Sequence, residues 1–68
     1  MSIEEQDMKD MEEHLLQLRA DAEGCLNISK LATDPQKQAL FAKLAQHLNV
    51  LASEVARAIA AQSARDAT

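Results

Sequence analysis

The stretch Thr33-Asp34-Pro35-Gln36 falls at the midpoint of a 68-residue chain, between two long runs of helix-forming residues. Proline fixes its own φ and disfavours helical geometry in the residue before it, so a helix arriving from the N-terminal side must end ahead of Asp34. The same residues are equipped to start a helix. With Asp34 as N-cap, Pro35 takes the first helical position, where its missing N–H costs nothing. With Thr33 as N-cap instead, Gln36 closes a capping box. Both starts leave a connection of only about residues 32–34, and helices joined that closely are antiparallel neighbours. The chain is therefore expected to form one helical-hairpin domain over 1–68. Helix 1 runs from about Ile3 to Leu31 and helix 2 from about Pro35 to Ala64, with the last residues frayed.

Apolar spacing supports both helices. Before the turn, Met8, Met11, Leu15, Leu18, Ala22 and Cys25 alternate in steps of three and four, and Ser29 and Ala32 continue the series. That is a heptad seam, narrower than an ordinary amphipathic face. Acids in the first turn (Glu4, Glu5, Asp7) suit the positive end of the helix dipole. Gly24 interrupts the run at a cost of about 1 kcal/mol relative to alanine. Continuity is still expected, because Cys25, Leu26, Ile28 and Leu31 lie beyond it and need a face to bury. The missing Cβ at 24 would also allow a close helix crossing. After the turn, Phe41, Leu44, Leu48, Leu51, Val55 and Ala58 repeat the spacing, flanked by Leu40, Ala45, Ala52 and Ile59. This arc is wider than one neighbouring helix covers.

Composition agrees with an all-α chain. Alanine, leucine, glutamate, glutamine and lysine favour helix, and with one Gly, one Pro and Phe41 as the one aromatic there is little from which to build strands. A single core at this size supplies roughly 3–5 kcal/mol and needs reinforcement. One cysteine makes no internal disulfide, and Cys25, His14 and His47 lack zinc-ligand spacing, which leaves association. Two hairpins packed together close the wide arc into a four-helix bundle. The residues expected to carry core and dimer seam are Met8, Met11, Leu15, Leu18, Ala22, Cys25, Phe41, Leu44, Leu48, Leu51, Val55 and Ile59.

The formal charge of −4 is unevenly placed. Residues 1–23 hold eight acids against two bases, and residues 24–68 hold three acids against five bases. A nucleic-acid or membrane-surface protein normally carries a basic face, so neither partner is expected. An acidic half lying beside a mildly basic one fits helix-to-helix charge matching. The acidic opening, MSIEEQDMKDMEEH, is unlike a secretory signal, and no apolar run approaches a membrane span. A lone thiol suits a reducing compartment, and a cytoplasmic location is expected.

Motifs for chemistry are few. In a hairpin centred near 33–34, His14 lies level with Ser53 and Glu54, and His47 with Ala20. That separates the histidines by about six residues, roughly 9 Å along the axis, too far to share one metal. No Glu-x-x-His pair of the di-iron kind occurs. His14 precedes leucines, where a histidine-kinase phosphoacceptor carries an acid, a basic residue and a proline. Cys25 sits in an apolar seam, and in the hairpin alignment no histidine is placed to activate it. There is no G-x-S-x-G elbow, phosphate loop or calcium-loop spacing. No catalytic residue, cofactor or metal site is expected, and the chain is read as a non-enzyme.

Residues 22–56 carry a further pattern: Ala22, Cys25 and Leu26, then Thr33, Asp34 and Pro35, then Leu44, Ala45, Leu51 and Ala52. Over about half the chain this resembles a group of small alpha-proteobacterial proteins, common in rhizobia. Their pattern runs A-x-x-C-L-x-x-A, then T-D-P, then a helix with a repeated L-A. His47 and Leu48 stand where that group often has tryptophan, and Ile28-Ser29 where Leu-Ala is usual. The resemblance implies a helical hairpin and no assigned activity. The functional expectation is a small structural or regulatory interaction module that partners itself as a homodimer. The alternatives are a subunit docking its apolar face on a larger protein, and an RNA- or metal-binding regulator. Against RNA, helix 1 offers only Lys9, Arg19 and Lys30 among its acids.

Overall fold

The computed structural model describes the backbone of residues 3–66 and the side-chain surroundings of 7–65. It consists of two helices, α1 (Ile3–Leu31) and α2 (Pro35–Asp66), with no strand among the described residues. The protein is an all-α hairpin. Helix α2 extends two residues past the expected fray at Ala64, and Arg65 in its last turn sets a cation on the negative end of the dipole. Lys30 does the same for α1.

The turn resolves the two capping alternatives. Asp34 Oδ1 accepts the Gln36 backbone N–H at 3.0 Å, and the Asp34 carbonyl accepts the Gln38 N–H at 3.0 Å. Asp34 is thus the N-cap and Pro35 the first helical residue, rather than Thr33 with a capping box at Gln36. Two further bonds tie α2 back to α1. The Ser29 hydroxyl donates to the Gln38 carbonyl at 2.7 Å, and the Gln38 side-chain amide donates to the Ala32 carbonyl.

The Ser29–Gln38 bond also sets the register, since residues whose numbers sum to about 67 stand level across the hairpin. Ala22 is then level with Ala45, and Leu15 with Ala52. Ala22, Ala45 and Ala52 are buried (3%, 4% and 4% exposed), and Leu18 completes the buried set at 8%. Small side chains at these levels let the two backbones approach closely. That role was expected of Gly24, and the structure corrects the expectation. Gly24 is exposed within an unbroken α1, its φ is not positive, and a Cβ added there would meet nothing within 4 Å.

The resulting core is thin. Among the described residues no side chain is fully buried, and three of the four buried ones are alanines. Complete burial of one leucine contributes about 1.5–3 kcal/mol, whereas an alanine methyl contributes roughly 0.8 kcal/mol. The hairpin is also long and flat, 51 × 19 × 11 Å, with a radius of gyration of 15.6 Å. A compact domain of this length would have a radius of about 11 Å.

Candidate functional site

The two helices distribute their apolar residues differently. In α1, Leu18 and Ala22 are buried, and Met8, Met11, Leu15, Cys25 and Ser29 are half-buried, as is Ala32 just past its end. Every other described α1 side chain is exposed, so α1 has one narrow contact line. In α2, Ala45 and Ala52 are buried, and Phe41, Leu48, Val55, Ala56, Ile59 and Gln62 are half-buried. Leu44 and Leu51 lie outside this line, at 38% and 46% exposure. The hairpin contact of α2 therefore runs through Ala45 and Ala52, and the neighbouring leucines flank it.

Among the described residues, eight large apolar side chains face solvent: Leu16, Leu26, Ile28, Leu31, Leu40, Leu44, Val50 and Leu51. Helical spacing sorts those beside the seam onto two sides. Leu26 joins Ala42, Gln46, Asn49 and Ser53 around a shallow open groove. Ala45 and Val50 also line it, so this side mixes apolar side chains with amides and a hydroxyl. Ile28 falls on the other flank of the α1 seam, and Leu40, Leu44 and Leu51 fall on the corresponding flank of α2. The apolar stripe of this second side is carried by α2, with Ala58 one heptad past Leu51 and Lys37 one heptad before Leu44, while on α1 Asp21 and His14 stand at the same spacing from Ile28.

The residues considered for chemistry do not converge. His14 and His47 are both exposed, and Cys25 is a half-buried free thiol in the seam. No group of three or more His, Cys, Asp or Glu side chains suited to a metal ion occurs among the described residues. Nor is any described helix long and apolar enough to cross a membrane. Glu4, Glu5 and Met1 lie outside the residues whose side chains are described.

Sequence reasoning missed two features. One is the Ser29–Gln38–Ala32 hydrogen-bond link, whose only sequence signal is a serine in the seam series just before the turn. The other is the choice of Ala45 and Ala52 over Leu44 and Leu51. Its signal is the doubled stripe itself, since Phe41, Leu48 and Val55 serve either line. Comparison with protein families, with curated proteins and with solved structures finds no match to this chain. The pattern over 22–56 therefore stands as a resemblance alone.

Proposed function

We propose that this protein is a small non-enzymatic interaction module that works as a homodimeric four-helix bundle. The observation that carries the reading is the surface the hairpin leaves uncovered. The chain exposes 5250 Å², whereas a compact monomer of its mass exposes about 4200 Å². The excess, about 1000 Å², is close to the roughly 800 Å² that each partner contributes to a standard protein interface. With so thin an internal core, covering this surface supplies the stability that the hairpin lacks.

Sedimentation equilibrium across a wide concentration range, with circular dichroism on the same samples, tests it. The expected result is a helical dimer that loses size and helicity together on dilution. A second reading rests on the same exposed leucines, namely a subunit that folds on a larger protein. A poorly helical monomer at every concentration would replace the first reading with this one.

A further inference from the structure

We infer that the second copy docks antiparallel on the side bearing Ile28, Leu40, Leu44 and Leu51, with the twofold axis passing beside Leu51. This rests on the dimer reading above and adds the face and the orientation. The first support is the stripe. Leu51 lies seventeen residues past Asp34, about 26 Å along the helix, which is half of the 51 Å length. A twofold axis at that level reverses α2 onto its copy. Leu51 then meets its own counterpart, and Leu44, seven residues before the axis, meets Ala58, seven residues after it. The pairing of a leucine with an alanine on each side of a central leucine pair is self-complementary, as a twofold contact requires. The opposite side of the hairpin has fewer large apolar side chains, Leu26 and Val50 beside Ala42, interspersed with Gln46, Asn49 and Ser53.

Charge selects the orientation. Residues 24–46, which form the turn end, carry Lys30, Lys37 and Lys43 against Asp34 alone, a balance of +2. The rest of the chain, with ten acids and four bases, holds −6. The acidic start of α1 lies along the part of α2 that carries Arg57 and Arg65 with Glu54 and Asp66, so charge matching within the hairpin is partial. A parallel pair would set −6 directly beside −6. An antiparallel pair sets each turn end beside the other copy's acidic end. Its like-charged ends stand apart by nearly the 51 Å length, several times the screening length of about 8 Å at physiological salt. Attraction between the ends acts at close range and their repulsion is screened, the exception being Lys37, which this register sets near the other copy's Arg65.

Spin-label distances test the geometry. In a Cys25→Ala background, one label is placed at the turn (Thr33→Cys) and, in a separate sample, one at mid-height (Val50→Cys). Antiparallel docking gives a Thr33 separation of about 50 Å and a Val50 separation below about 30 Å, set by helix diameters of 10–12 Å. Short distances at both positions would overturn the orientation. The face is tested by sedimentation with Cys25 retained. Leu51→Asp is expected to weaken the dimer by about 100-fold or more, because it buries an unpaired charge, whereas Val50→Asp leaves the dimer intact. The reverse pattern would overturn the face while leaving the dimer standing. A wild-type chain that stays monomeric throughout would remove the dimer reading itself, and this inference with it.

Discussion

Helix α1 and helix α2 have the same three-four spacing of apolar residues, yet only one of them specifies its contact line uniquely. In α1 the seam is one residue wide at each level, and polar or charged residues flank it through most of its length. The seven α1 positions from Met8 to Ser29, and Ala32 just past the helix, are the ones the hairpin shields, and no other described side chain of that helix is shielded. In α2 two heptad lines share Phe41, Leu48 and Val55. One passes through Leu44, Leu51 and Ala58, the other through Ala45, Ala52 and Ile59. The hairpin uses the second. A helix that serves one partner needs one stripe, and a helix placed between two partners needs two. If a second copy docks as proposed, the doubled stripe of α2 is what a helix with two surfaces to cover would carry.

The largest expected effect comes from the position that both lines share. Leu48 is half-buried against α1, so Leu48→Asp places an unpaired charge in the hairpin contact itself. Loss of most helicity by circular dichroism is expected at any protein concentration. Retained helicity in that variant would mean that the α2 contact line lies elsewhere. The next effect separates the two lines. Ala52 is 4% exposed, and Ala52→Leu forces extra methyl groups between closely spaced backbones, at a cost of about 1–3 kcal/mol. Leu51→Ala removes a side chain that the hairpin leaves 46% exposed. It should leave the helix-to-helix contact unchanged and make the melting temperature more dependent on concentration. If Ala52→Leu were harmless and Leu51→Ala lowered stability equally at all concentrations, the leucine line would be the internal one.

This difference explains what was legible in the sequence. The turn was readable because proline and an aspartate cap act locally, through backbone geometry that no distant contact overrides. The α1 seam was readable because its flanking residues are too polar to compete. The α2 contact was not, since burial energy favours leucine at the interface while backbone approach favours alanine, and only the three-dimensional packing decides between them. Ser29 was a weak helix former on propensity alone. Its hydroxyl is instead a bridge to the Gln38 carbonyl, which becomes visible only when the two helices are placed side by side. The candidate surface was half-legible in the same sense: Leu44 and Leu51 were recognised as apolar, but the side of the hairpin they occupy depends on the alanine line beside them.

The smallest effect sharpens the account of α1. A mid-helix glycine has two possible reasons to be there. It is either a place where another backbone comes too close for a Cβ, or a position where nothing demands a side chain. Within the hairpin the second holds, because an added Cβ at Gly24 meets no atom within 4 Å and its φ is compatible with any residue. Gly24→Ala should then stabilise the helix by about 1 kcal/mol through propensity alone, raising the melting temperature by roughly 4–8 °C in a chain of this size. Gly24 is on an exposed part of α1, so the same variant probes whether a second copy approaches there. A fall in melting temperature that grows with protein concentration would place Gly24 in the contact between copies, and would give α1 a second surface of its own. A rise that is independent of concentration would keep Gly24 outside any contact between copies.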